Sequence, residues 1–471
     1  MPTKTAPGHA SVYTGTTPKY HGIIANKWYD RTLKKEVNNV DDYSTKALGG
    51  AMSSGQRSPH KMLSTTITDE LQLSNDGKSK VISISLKDRG AILPGGHMSD
   101  GSYWYDSSTG NFITSSYYQK ELPTWVANFN KKEYVKTLVK KGWSTLLPIE
   151  DYTESTTDSQ TYEKVFHHKN DAVFPYEFKN LSNEEQYEIF QETPFGNTIV
   201  AQLAIEALNN EKLGQNTETD FLAISFSSTD KVGHAFGPYS IEIEDTYLRL
   251  DRDIATILKQ LDEKVGPDNY TLFLTADHGS TDVPQYLINK KIPAGYYDAD
   301  AMLSKVNTRL AEVFNVKNLI EVMSNGQFFF DLDAIKTNKL DFNKVSEEGK
   351  KEILTMKGVF QVLLRPDLEK MEYSEEEKGM VQRGFHTKRS GDIVVLFNPS
   401  WTKEREYGTE HSTGYSYDTH VPLLWYGHKI PKGSSTKKYS ITDIAPTISM
   451  LLNIKFPNAC TGKPINELFK N

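Results

Sequence analysis

The sequence predicts an α/β fold, a doubly wound and mostly parallel sheet with helices on both faces. Three observations carry this. Short β-branched runs do not alternate in polarity, as strands buried on both faces require. Helical stripes lie between those runs, so strand and helix take turns along the chain. Several runs also end directly in Asp, His, Lys and Arg, at the carboxyl ends of strands where open α/β sheets hold ligands.

In chain order, "KVISISLKDR" predicts a strand over Val81–Leu86 that delivers Lys87 and Arg89. "DFLAISFSSTDKVGH" predicts one over Phe221–Phe226 that delivers Asp230 and His234. A helix follows, with apolar residues at Ile243, Tyr247, Leu250, Ile254, Leu258 and Leu261 in steps of three and four, until Gly266 and Pro267 stop it. "NYTLFLTADHGS" predicts a strand over Tyr270–Thr275 that delivers Asp277 and His278. Further strands are expected over Ile393–Phe397 and Val421–Tyr426, and "TDIAPTISMLLNI" reads as a late helix. Two regions break this rhythm and read as insertions capping the active edge. One runs from about Gly96 to Asn180, with a hairpin-like "YWYDSSTGNFITSSYY". The other runs from about Pro284 to Gly384, with two helices and a hairpin.

Composition narrows the function. At 37% hydrophobic residues in 471, the chain can bury a large core. A net charge of −7 with mixed signs gives no basic stripe for nucleic acid and no polybasic arm for lipid. No apolar run is long enough to span a bilayer. The single cysteine, Cys460, can form neither an intrachain disulfide nor a thiolate cage, so a metal site must use His and carboxylates.

Those donors are present. Asp230-x-x-x-His234 and Asp277-His278 each follow a buried strand, and "GTEHSTG" sets His411 in a glycine-flanked loop. Oxygen with imidazole suits zinc first, then manganese, iron or cobalt. One such pair alone is a surface coincidence or a helix cap. Two pairs plus a loop histidine are not so easily set aside. The opening "PTKTAPGHAS" adds hydroxyls at Thr3, Thr5 and Ser11 beside His9, and composition does not choose among them. Ser11 lacks the flanking glycine of a nucleophile elbow, which argues against a serine hydrolase. Asn26 reads equally as a turn residue or as an amide donor to an oxyanion. Lys87 and Arg89, two apart in extended backbone, would point the same way. They would then converge on a small anion such as a phosphoryl group.

Taken together the motifs resemble the alkaline phosphatase superfamily. The nearest likeness is to phosphate-irrepressible periplasmic phosphomonoesterases with a threonine nucleophile. The resemblance runs over nearly the whole chain, through "PTKTAPGHASVYTG", "HGIIANKWYD", "SLKDRGAILPGGH", "STDKVGHAFGP", "TADHGS", "HSTGYSYDTHVPLLWYG" and "ITDIAPT". It implies that Thr5 is the nucleophile and that Asn26, Lys87 and Arg89 hold the phosphoryl oxygens. It implies two zinc ions per chain, one on Asp230, His234 and His411, the other on Asp277, His278 and Thr5. His420 is expected to be structural support only. In-line displacement through a phospho-threonine, monomeric state, small phosphate monoesters as substrates and a periplasmic or secreted location follow from the same likeness.

The family also places an exported leader and a first core strand before the threonine loop, and that strand carries an aspartate ligand. Here Thr5 stands almost at the start. The expectation is therefore a single domain over 1–471 lacking that strand, with the second zinc weakly held and activity impaired. The alternatives are a phosphodiesterase or nucleotide pyrophosphatase of the same superfamily, which Lys87 and Arg89 disfavour, and a non-catalytic metal- or phosphate-binding protein. A sulfatase lacks its oxidisable Cys or Ser setting, since Cys460 precedes Thr-Gly-Lys. A cofactor-independent phosphoglycerate mutase fits neither the threonine opening nor Lys-x-Arg.

Overall fold

The computed structural model describes residues 3–166, 169–178, 181–374 and 376–469. In chain order its main elements are helix α1 (Thr5–Thr14), strands β1 (Ala47–Leu48) and β2 (Val81–Ser85), α2 (Asp88–Gly95), and the hairpin β3 (Gly101–Asp106) and β4 (Asn111–Ser115). Then come α3 (Phe195–Asn210), β5 (Phe221–Ser225), α4 (Ser228–Phe236), α5 (Ile241–Lys264) and β6 (Thr271–Thr275). A second lobe holds α6 (Ala299–Phe314), β7 (Ile320–Ser324), β8 (Gln327–Phe330), α7 (Phe342–Leu354), β9 (Val359–Leu364) and β10 (Ile393–Phe397). The chain closes with β11 (Leu423–Gly427) and α8 (Ile444–Leu452).

The α/β class holds, and the sheet is mixed. Its order is β1-β4-β3-β2-β5, with β2 parallel to both β3 and β5, and with antiparallel ladders at β3–β4 and β4–β1. Every residue of β2 and β3 is buried, the two-sided burial expected of non-alternating runs. The hairpin read as part of a cap is instead core, because β3 pairs with β2 in register from Ile82–Gly101 to Ser85–Trp104. The far end of that expected insertion, Asn180, falls outside the described residues.

Two other readings change. Ile393–Phe397 does not join the main sheet. As β10 it completes a separate antiparallel sheet, β7-β8-β10-β9. That sheet packs with α6 and α7 around its own core of Met302, Val306, Leu310, Phe328, Phe330, Val345 and Ile353. β11 pairs antiparallel with β6, and alternates, with Leu424 and Tyr426 exposed. The stripe on α5 is also only partly inward. Ile243 is buried, but Tyr247 is 60% exposed, because α5 packs chiefly against α3 and α4 on other positions.

Candidate active site

Turns at the carboxyl ends of the strands position the chemistry. After β5 the chain enters α4, whose 3.6-residue pitch puts Asp230 and His234 on one stripe. After β6 it runs through Asp277 and His278 without a helix. Lys87 and Arg89 are placed differently from the extended-strand expectation. β2 ends at Ser85, Lys87 is the residue before α2, and Arg89 lies in its first turn. Both still face one cavity of ≈ 340 Å³, lined also by Thr5, Asn26, Asp230, His234 and His411.

α1 brings Thr5 to this place. Gly8 permits it, because a Cβ there would meet the Asp277 carbonyl oxygen at 2.6 Å. Thr5 is 3% exposed, and its Oγ1 is 3.5 Å from Lys87 Nζ. The Ala6 N–H donates to Asn26 Oδ1 at 2.8 Å. That bond fixes the Asn26 amide and leaves its NH₂ without a protein partner among the described residues. Thr3 and Ser11, the other candidate hydroxyls, are used structurally. Thr3 donates to the Thr413 carbonyl at 3.0 Å, and Ser11 pairs with His21 at 3.1 Å.

The three histidines share one arrangement. Nδ1 of His234 faces the Thr409 carbonyl at 2.7 Å, Nδ1 of His278 the Gly279 carbonyl at 2.8 Å, and Nδ1 of His411 the Thr3 carbonyl at 2.5 Å. A carbonyl only accepts, so each Nδ1 carries the proton and each Nε2 keeps a lone pair. All three Nε2 atoms turn to Asp230 Oδ1, at 3.4 Å from His234, 3.7 Å from His278 and 3.4 Å from His411. His278 Nε2 also lies 3.4 Å from Asp277 Oδ2 and is buried without a hydrogen bond. Gly408, at φ +65°, lets the His411 loop approach the His234 carbonyl, where a Cβ would sit at 1.9 Å.

Lone pairs converging on a carboxylate, each imidazole steered by a carbonyl behind it, are the requirements of a divalent cation. The ligand atoms of Asp230, His278 and His411 lie within 4.8 Å of one another. This trio crosses the two ligand sets that the resemblance separates. The His278 and His411 rings stack at 3.5 Å between centroids. Electrostatics agree with this. Burial opposes charge on Asp230, yet the Lys87 ammonium beside it holds its carboxyl well below the usual range. Burial likewise opposes charge on Asp277, whose carboxyl is still held below its ordinary value, with Lys87 contributing. Burial, with His278 nearby, pushes His411 down to about 4, which keeps it neutral and able to ligate.

His420 is exposed and lies outside the cluster. Its neighbour Asp418, which the sequence reading passed over, shapes the His411 loop. It is fully buried and accepts from the Ser412 N–H, the Thr413 N–H and the Thr413 hydroxyl. His9, met earlier only as a neighbour of the hydroxyls, stands 3.9 Å from Asp277 and 3.2 Å from Ser225 Oγ. Lys231, Gln191, Ser54 and Arg57 also line the cavity. No pattern in the sequence singled any of them out.

An α/β sheet whose strand ends gather Asp and His donors around a hydroxyl and a cation pair defines a hydrolase of the alkaline phosphatase superfamily. The chain belongs to the type I phosphodiesterase / nucleotide pyrophosphatase family, whose sequence profile matches residues 1–421. It is 43% identical to alkaline phosphatase PhoV of Synechococcus elongatus over 473 aligned residues, covering 100% of this chain and 84% of PhoV. It is 43% identical to alkaline phosphatase PafA of Elizabethkingia meningoseptica, covering 99% of this chain and 86% of PafA. The crystal structure of wild-type PafA superposes with a TM-score of 0.94 at 42% identity, over 99% of this chain and 89% of that one.

Proposed function

We propose that this phosphatase hydrolyses phosphate monoesters through a covalent phospho-threonine at Thr5. The observation that carries the reading is that the Asp230 carboxylate and three Nε2 lone pairs gather beside a buried hydroxyl 3.5 Å from an ammonium. The donor set fits two zinc ions, one on Asp230, His234 and His411, the other on Asp277, His278 and Thr5. When bound, they supply Lewis acidity to the nucleophilic and leaving oxygens.

The protein's own residues do the rest. Lys87 favours loss of the Thr5 proton by its charge. Thr5 Oγ1 gives its proton to solvent and attacks phosphorus in line, the P–O bond to the leaving group breaks, the departing oxygen takes a proton from water, and the phosphoryl group rests on Thr5. Water then breaks the Thr5–phosphoryl bond. Throughout, Lys87, Arg89 and the free NH₂ of Asn26 hold the equatorial oxygens, where transition-state charge is spread. Brief reaction with a monoester, acid quench and peptide mass spectrometry should find phosphate on Thr5. Phosphate on another residue, or on none under single-turnover conditions, rejects the pathway.

A diesterase reading is favoured by the description of the matched family. Two cations at the phosphoryl position suit a dianion better than a monoanionic diester, and the PhoV and PafA names agree. Matched monoester and diester rates with one leaving group separate the two, and a diester preference overturns the monoesterase reading. A monomeric enzyme in the periplasm or outside the cell belongs to the same proposal. Among the described residues no helix is long and apolar enough to cross a membrane.

One domain with two insertions, the first beginning only after the β3–β4 hairpin, and a further strand preceding Thr5 belong to the same proposal. The strand's support lies in the sheet. Among the described residues β5 and β6 each have a ladder on one edge only, and Tyr13 of α1 bridges Phe221 and Phe273, at 6.1 and 6.3 Å. A strand seated between those edges would pair them and bring an aspartate to the Asp277–His278 side. Zinc content and turnover of this chain against an N-terminally extended one test it; equal values remove it.

A further inference from the structure

Four cations line the cavity, and three are engaged. Arg57 bridges Asp41 and Asp88, each at 2.9 Å. Lys87 pairs with Asp230. Arg89 reaches Asp88 at 3.5 Å, and its buried Nε has no partner. Lys231 alone has no carboxylate within ion-pairing distance among the described residues. It sits on α4 one place after Asp230 and three before His234, so it stands beside the metal-facing stripe. Lys87 and Arg89 repel it. Of the two carboxylates that attract it, Glu192 is tied to Lys164 at 2.5 Å and Asp230 to Lys87.

The walls around it are polar. Gln191 is 9% exposed, and its amide has no protein partner among the described residues. Ser54 and Ser107 also face the space. Trp104 and Tyr105 line it too, but they are 1% and 6% exposed, and Trp104 Nε1 donates to the Ser54 carbonyl. Among the described residues no aromatic face is open there for a nucleobase to stack on.

We propose that Lys231, with Gln191 beside it, forms a leaving-group subsite selecting phosphate monoesters whose alcohol carries a second anionic group. A carboxylate or a second phosphoryl on the leaving alcohol neutralises the cation that the protein leaves unpaired. The inference deepens the monoesterase reading and rests on it.

The test compares kcat/KM for 3-phosphooxypropanoate and propane-1,3-diol bisphosphate with kcat/KM for the neutral-ended 3-hydroxypropyl phosphate, using metal-loaded enzyme. In Lys231→Gln the anionic-to-neutral ratio is expected to fall about tenfold, mostly through KM, and Lys231→Arg restores most of it. A fall for the carboxylate alone or for the bisphosphate alone names which anion the subsite takes. An unchanged ratio in Lys231→Gln overturns the proposal. The same ratio is read from inhibition constants or binding heats of 4-phosphonobutanoate against 4-hydroxybutylphosphonate. Binding that discriminates without turnover therefore counts against the monoesterase reading only.

Discussion

Two aspartates fifteen residues apart, one fully buried and one at the cavity wall, show opposite uses of the same side chain. Asp245 on α5 is fully buried and accepts four hydrogen bonds, from Trp143 Nε1 at 2.7 Å, the Leu146 N–H at 2.7 Å, the Tyr152 hydroxyl at 2.6 Å and Arg249 Nε at 2.6 Å. Every lone-pair direction is filled by a donor, so the carboxylate locks a surface strap onto the helix and has no capacity left. Asp230 on α4 has one firm donor, Lys87, while three imidazole nitrogens stand 3.4–3.7 Å away, beyond ordinary hydrogen-bond length. A satisfied carboxylate is structure. A carboxylate ringed by lone pairs waits for a cation.

The comparison can be broken in graded ways. Thr5→Ala should cost at least ~10⁴-fold in kcat/KM with melting unchanged, as loss of a covalent nucleophile does. Retention of a hundredth of the activity would move the nucleophile elsewhere. Asp230→Asn should empty one metal site and lower turnover by more than ~10³-fold, read together by metal analysis and kinetics. Full metal content in that variant would put Asp230 in the same category as Asp245. Arg89→Ala should lower kcat/KM for monoesters about 10²-fold and for diesters far less. Equal losses would dissolve its role in selecting a dianion.

Asp245→Asn should do the reverse of these. It should cost about 3 kcal/mol of stability by chemical unfolding, with kcat/KM and metal content nearly intact. A pH-dependent effect concerns Glu163. Burial first, then Glu242 and Asp158, raise its carboxyl to about 9. The folded state therefore holds a proton there that the unfolded chain releases near 4.5. Stability from this group is whole at low pH and falls as pH rises from the unfolded value toward 9, by up to about 1.4 kcal/mol per unit. Glu163→Gln should flatten that decline between pH 6 and 9. A thermal-melting profile identical to the parent's contradicts it.

Much of this was legible in the sequence because strand ends and donors coincide. Asp230, His234 and His411 are assembled together, and Asp277 joins them through His278, since a buried β-branched run followed by Asp or His has one direction to deliver it. Lys87 and Arg89 reached the expected cavity by an unexpected route, through the start of α2. The pattern of residues two apart looks the same in a strand and across a cap. The run at Ile393–Phe397 was legible as a strand but not as a member of the second sheet. Sheet membership depends on partners far away in sequence, such as Phe328 opposite Ile393. Lys231 and Asp418 were invisible, because nothing local distinguishes an unpaired lysine or a loop-shaping aspartate from a solvated one.

Residue 3 holds residues 411 and 413 by two bonds, its carbonyl to the His411 ring and its hydroxyl to the Thr413 carbonyl. The first described residue is thus a splint across the His411 loop, with the Thr5 hydroxyl only two positions away. Prising that joint open loosens both at once. A protease or denaturant acting at this edge would silence the enzyme while most of the scaffold was still standing.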